Sequence, residues 1–130
     1  MKNILIALLF PILAVAGSRS DDQFVFGKKY TRYVLSCYSQ AVASKIADTV
    51  AKQGDKAGMR LFDTYMSTAH DICSEKAFPF TIVRLVHTAR GKHGPVYVYL
   101  IEMEDGFKQY AISDIEVLDP RCIADKSACT

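Results

Sequence analysis

Residues 96–113 read VYVYLIEMEDGFKQYAIS. Two runs rich in β-branched and aromatic residues flank Asp105-Gly106, a dipeptide typical of a two-residue type I′ turn. This pattern predicts that residues 96–104 and 107–113 are the two antiparallel strands of a β-hairpin.

The same pattern extends to the segment before the hairpin. Residues 80–90 are again rich in β-branched and apolar side chains, and residues 91–95 separate them from the hairpin as an ordinary loop. With a two-residue turn, Ile101 lies opposite Tyr110, and we expect Leu85 to pair with Ile101 from the other side. Three strands would then form a β-meander.

This register decides which side chains share a face of the sheet. It places Tyr97, Tyr99 and Tyr110 on one face, with His87 opposite Tyr99 in the preceding strand. Tyrosine joins an apolar ring to a polar hydroxyl, so it suits both the margin of a small core and a binding surface. We expect helices to cover this face in part, and the tyrosines left exposed to recognise a protein, peptide or glycan.

Two amphipathic helices are predicted before the sheet. Apolar or small residues recur at spacings of three and four over residues 30–53 and again over residues 58–73. Gly54 is typical of the residue after a helix, and Asp55 of the residue that begins one. Because the connection is so short, the two helices should form an antiparallel pair.

The predicted fold class is therefore α+β, with an N-terminal antiparallel helical hairpin packed on a three- or four-stranded antiparallel β-meander. Residues 115–118 would supply the fourth strand, or a returning segment that covers the second face of the sheet. We expect residues 30–118 to form this single α+β domain, with residues 17–29 as a flexible lead-in. Within the lead-in, residues 24–26 could add an edge strand.

The four cysteines are interpreted as two disulfides. Cys37 and Cys73 lie at nearly equal distances along the chain from Gly54, so on two antiparallel helices they would stand at the same height. This predicts a Cys37–Cys73 disulfide and leaves Cys122–Cys129 to close a loop in the C-terminal tail, residues 119–130. Free thiols, or a bridge from the helices to the tail, are the alternatives.

Residues 1–16 have the layout of a secretory signal peptide. Lys2 precedes an apolar run, and Ala14-Val15-Ala16 supplies small residues at a cleavage site after Ala16. The run is shorter than the ~20 residues that a membrane-spanning helix needs. We therefore expect a secreted or periplasmic protein that is not an integral membrane protein after cleavage, with an uncleaved anchor as the alternative.

Composition and spacing exclude several function classes. The formal charge of +2, with 23% charged residues, argues against a nucleic-acid-binding protein, which usually carries a clustered basic excess. His70 and Cys73 have metal-ligand spacing, but a disulfide would leave Cys73 without a thiolate. No cofactor or metal is therefore predicted.

The predicted function is that of a small exported, disulfide-stabilised, non-enzymatic binding module. Its binding residues would be Tyr97, Tyr99, Tyr110 and His87, because no convergent set of catalytic groups accompanies these aromatic residues. One alternative is a structural or accessory subunit of an envelope or secretion assembly. The other is a small hydrolase that uses His87 with a carboxylate, Glu102 or Asp114.

Overall fold

The computed structural model describes residues 24–67 and 72–121. The elements, in chain order, are β1 (Lys29–Cys37), α1 (Gln40–Gln53), α2 (Asp55–Ser67), β2 (Cys73–Ala89), β3 (Val96–Met103) and β4 (Lys108–Ser113). Two helices and a four-stranded antiparallel sheet are thus present, as predicted, but the helices follow β1 instead of standing at the N-terminus. Cys122, Cys129, His70 and the predicted signal segment lie outside the described residues.

The sheet closes into a small barrel in the order β1-β2-β3-β4. Strand β2 is long enough to pair with β1 along its first half and with β3 along its second half, and β4 completes the predicted meander. Closure comes from the end of β1, where Leu35 to Cys37 pair with β4. A buried hydrogen bond from the Ser36 hydroxyl to the Gln109 side-chain oxygen joins the same two strands.

The predicted first helix is wrong over residues 30–37, which form most of β1. This segment, YTRYVLSC, is rich in aromatic and β-branched residues that favour an extended backbone. The helix begins only after Ser39, whose side-chain oxygen accepts a hydrogen bond from the Val42 backbone N–H. Gly54 follows α1 as predicted, and its N–H donates to the Val50 carbonyl.

The Cys37–Cys73 disulfide is confirmed, but its structural setting differs from the prediction. The two cysteines are directly paired across β1 and β2, where one strand ends and the other begins, and both are buried. The two helices lie in the chain segment that connects these paired strands. Strand pairing, and not a matching height on two helices, therefore brings the cysteines together.

The β3–β4 turn is one residue longer than predicted. The Gly106 N–H donates to the Met103 carbonyl, so Glu104 and Asp105 occupy the centre of the turn. Gly106 follows with a φ of 89°, and the Met103 N–H donates to the Phe107 carbonyl. This is a three-residue hairpin loop that ends in a glycine bulge.

The longer turn shifts the register of β3 against β4 by one residue, so the predicted pairs are wrong. Ile101 lies opposite Gln109, and Tyr110 lies opposite Leu100. The β2–β3 register differs as well: Val96 pairs with Ala89, and a bulge between Leu85 and His87 adds a further shift, so that Leu85 lies opposite Tyr99. A shift of one residue moves a strand's side chains to the other face relative to its partner.

Two apolar clusters fill the molecule, one on each face of the sheet. The helices cover the first cluster, to which the sheet contributes Leu35, Val96, Val98 and Ile112. The second cluster includes Phe80, Ile82, Tyr99, Ile101 and Val117. The helices therefore cover the expected face of β4 but the opposite face of β3.

The segment before β1 and the segment after β4 cover the second cluster. Phe24, in the range predicted as a flexible lead-in, is 1% exposed. Val25 forms a parallel bridge with Leu118, and backbone hydrogen bonds join Phe24 and Phe26 to the same residue. Residues 115–118 thus act as a returning segment, as predicted, and residues 24–26 pair with it at a single bridge.

Neither helix in the described ranges is long and apolar enough to cross a lipid bilayer. The longer one, α1, has 14 residues.

Candidate functional site

The three tyrosines singled out from the sequence do not form one surface. Tyr99 is 1% exposed, and its hydroxyl donates to the Ile115 carbonyl at 2.7 Å and accepts from the Val117 N–H at 2.9 Å. Burial raises the pKa of the Tyr99 hydroxyl well above its ordinary value. Tyr99 is therefore a core residue that fixes the returning segment.

The other two tyrosines lie on opposite faces of the sheet. Tyr97 stacks on Tyr99 in the second cluster, with ring centroids 5.9 Å apart, and is half-buried. Tyr110 packs against the first cluster, beneath the helices, because its partner across the strands is Leu100 and not Ile101. The predicted contiguous row of tyrosines is thus wrong, and the one-residue register shift is the reason.

His87 has a carboxylate partner, but it is neither of the two that we predicted. Its Nε2 lies 2.8 Å from the Asp48 Oδ1 on α1, at a half-buried position. Glu102 instead lies near Lys108, with 4.0 Å between the Nζ and Oε2 atoms. The His87–Asp48 pair therefore connects α1 to β2. Among the described residues, no hydrogen bond joins this pair to Asp114.

The structure shows an exposed aromatic pair that the sequence analysis did not single out. Tyr38 is 51% exposed and Phe107 is 50% exposed, and their rings meet edge to face with centroids 5.5 Å apart. Tyr38 was assigned to the predicted first helix, and Phe107 was treated only as the start of a strand. We call Tyr38 and Phe107 the aromatic pair.

The backbone beneath the aromatic pair is firmly held. Tyr38 directly follows the disulfide-bonded Cys37, and its N–H donates to the Ile72 carbonyl at 2.8 Å, one residue before Cys73. Phe107 is fixed by the glycine bulge and by a hydrogen bond from its N–H to the Asp105 carboxylate at 2.9 Å. Two exposed rings are thus presented from positions with little backbone freedom.

A second candidate site lies at the opposite end of β3, where the β2–β3 loop meets the junction of the two helices. The loop docks closely: a Cβ built on Gly91 would lie 2.3 Å from the Ala51 carbonyl oxygen. The His93 N–H donates to the same carbonyl at 3.0 Å, which satisfies an acceptor near the C-terminus of α1. The His93 ring lies against Gly54. We predicted an ordinary loop over residues 91–95, but the structure shows this loop docked against α1.

This docking forms a partly open pocket of about 160 Å³, which we call the junction pocket. It is lined by Val50, Asp55, His93, Gly94, Pro95, Val96 and Asp114. The apolar side chains come from α1 and from the start of β3, and the two carboxylates come from the start of α2 and from the residue after β4. The pocket therefore combines apolar walls with two acidic groups and an imidazole.

The Asp114 carboxyl of the pocket has a strongly perturbed pKa. Burial raises the pKa of its carboxyl to about 6, and the negative charge of Asp55 adds to the effect, whereas a hydrogen bond to its own backbone opposes it. The Asp114 Oδ1 is buried and accepts no hydrogen bond from the described residues. This one oxygen of the carboxylate therefore lacks the donor that its negative charge requires.

Metal binding has no support in residues 24–67 and 72–121. Within these ranges, no group of three or more His, Cys, Asp or Glu side chains is arranged to hold a metal ion. Although the junction pocket contains one histidine and two aspartates, it therefore does not have the geometry of a metal centre.

No protein-family model, no curated protein and no solved structure matches the chain. Its function is therefore inferred from the geometry of these two sites.

Proposed function

We propose that this chain is a small exported, non-enzymatic binding module that recognises a protein or peptide partner through the aromatic pair. The observation that carries the proposal is the exposed Tyr38–Phe107 contact on a backbone fixed by the Cys37–Cys73 disulfide. As in the sequence analysis, exposed aromatic residues are proposed to recognise the partner, but the residues are now Tyr38 and Phe107.

The disulfide supports the export part of the proposal. Structural disulfides persist in the extracellular space, in the periplasm and in the secretory pathway, whereas the cytosol keeps thiols reduced. Cys37 and Cys73 are buried and joined across neighbouring strands, as expected of a structural bond. Together with the signal-like residues 1–16, this favours a secreted or periplasmic location.

The aromatic pair supports the binding part. Exposed aromatic rings supply large apolar contact areas and dominate the binding free energy of many protein interfaces. Rings that are already ordered lose less conformational entropy when a partner binds. The disulfide beside Tyr38 and the bulge beside Phe107 provide such order.

Affinity capture with matched variants tests this function. The oxidised protein is immobilised and exposed to the exported fraction of the cells that produce it, alongside the double variant Tyr38→Ser/Phe107→Ser. The control is Val83→Ser/Leu85→Ser, which removes two other exposed apolar side chains, on β2. We expect a partner that the wild type and the control retain and that the aromatic variant loses by about tenfold or more, as is typical of interface hot spots.

Two results would count against the proposal. Equal capture by all three proteins would show that the aromatic pair does not carry recognition. Capture of further copies of this chain alone would instead favour the alternative of a structural subunit in a larger assembly.

A further inference from the structure

We propose that the junction pocket binds an alkylammonium group, as found at the end of a lysine side chain or in a small free amine. This site is separate from the aromatic pair, because the pocket lies at the start of β3 and the aromatic pair beside the turn at its end. The inference therefore goes beyond the function proposed above and does not depend on it.

The shape of the pocket fits a short alkyl chain. Its volume of about 160 Å³ is close to that of a cavity of ~150 Å³ known to hold benzene, so a chain of about four carbons fits. Val50, Pro95 and Val96 supply apolar walls. Burying an alkyl chain against such walls stabilises a complex, because apolar surface is removed from water.

The polar groups of the pocket select a cationic donor. Asp55 and Asp114 place two carboxylates on its lining, and the Asp114 Oδ1 accepts no hydrogen bond from the described residues. An ammonium group carries three N–H donors and a positive charge, so it supplies what this oxygen lacks. An anion would be repelled by both carboxylates, and a neutral alcohol would offer a single donor and no positive charge to attract them.

Every charged or titratable group that lines the pocket can be named. Asp55 comes from α2, His93 from the β2–β3 loop and Asp114 from the segment after β4, while α1 contributes only the uncharged Val50. The pKa of Asp114, raised to about 6, means that the full negative charge develops only above that pH. Binding should therefore be stronger at pH 7.5 than at pH 5.

The test is an NMR titration of the purified, oxidised protein with n-butylammonium chloride at pH 7.5. We expect saturable shifts of the backbone amides of His93, Gly94 and Asp114. The neutral analogue n-butanol should produce much smaller shifts. Affinity should fall by about tenfold or more in Asp114→Asn, since the ammonium group loses its ion pair with the carboxylate. The matched control is Asp63→Asn, which removes an exposed carboxylate from α2 and should bind like the wild type.

Two further ligands distinguish the sources of the ammonium group. N-acetyl-lysine methylamide represents a lysine side chain of a partner, and 1,4-diaminobutane represents a free amine. Whichever of them binds more tightly identifies the natural source, and tight binding of either supports the proposal.

Three results would overturn the proposal. These are n-butanol binding as well as n-butylammonium, Asp114→Asn binding as well as the wild type, or the absence of saturable shifts at the pocket. None of them depends on the aromatic pair, so failure here leaves the proposed function intact. Failure of the capture experiment likewise leaves this site untouched.

Discussion

Asp114 illustrates how strongly a single residue depends on its neighbours. Its carboxyl lies just after β4, beside the docked loop, and burial and the charge of Asp55 raise its pKa to about 6. Burial makes the ionised form of this group costly. The fold therefore tolerates Asp114 at a cost in stability, which is typical of a residue kept for function rather than for packing.

The stability cost of Asp114 can be measured through its pH dependence. The folded pKa lies above the unfolded value, so the folded state holds more protons between about pH 4 and pH 6, and stability falls as the pH rises through this window. The side-chain amide of Asp114→Asn cannot ionise, so the stability of this variant does not fall in this way. We expect the variant to exceed the wild type in unfolding free energy by about 1 kcal/mol at pH 7, a figure reduced for solvent screening of a partly exposed group. The difference should be smallest near pH 4.

Urea denaturation at pH 4 and pH 7 measures this difference, with Asp63→Asn as the exposed control. A variant that is less stable than the wild type at pH 7 would show that ionised Asp114 stabilises the fold, contrary to our interpretation.

The pocket residues could be predicted only in part. From the sequence, Asp114 was considered as a partner for His87, whereas the structure places it beside the same cavity as His93 and Asp55. The partner of His87 is Asp48, 39 positions away along the chain. Such pairings depend on tertiary packing, and no local spacing encodes them.

At the scale of elements, the close contact between the β2–β3 loop and α1 sets the shape of the junction pocket. Gly91 permits this contact, because any side chain there would meet the Ala51 carbonyl oxygen. The His93 N–H then completes the docking with a hydrogen bond to the same oxygen. The loop thus depends on one glycine for its position.

Gly91→Ala should therefore disturb both stability and the pocket. The added Cβ would be 2.3 Å from a backbone oxygen, so the loop or the end of α1 must shift, and we expect a loss of about 2 kcal/mol. Gly94→Ala is the control from the same loop, since its Cβ would meet no atom within 4 Å and only its positive φ of 91° is strained. Its cost should be about 1 kcal/mol. Thermal unfolding followed by circular dichroism compares the two, and an equal or smaller effect at Gly91 would contradict the close contact.

The turns show why elements were easier to predict than their register. Asp105-Gly106 marked the β3–β4 hairpin correctly, but the same dipeptide also fits a three-residue loop with a glycine bulge, which is the turn observed. The two turns differ in length by one residue, and this difference decides which face of β3 the helices cover. The bulges in β2 gave no sequence signal of their own.

At the scale of the whole molecule, β1 turns a meander into a closed barrel. The helical periodicity of residues 30–37 concealed this strand. Every pair that it forms with β2 or β4 joins residues 36 or more positions apart, so no local signal marks the pairing. The Cys37–Cys73 pairing was predicted correctly but from a wrong premise, because both cysteines lie in strands and not on the helices. The structure thus keeps the predicted covalent link and changes the elements that it joins.

The disulfide is central to the account, because it joins the end of β1 to the start of β2, lies beside Tyr38 and is the bond on which the proposal of export depends. A cross-link between residues 36 positions apart contributes about 3–4 kcal/mol in the chain-entropy model. The most direct test is mass mapping of the exported protein after digestion without reductant. We predict a peptide pair that joins Cys37 to Cys73, from a chain that begins at Gly17. A bond from Cys37 or Cys73 to the tail, or both thiols reduced in the exported protein, would contradict the account.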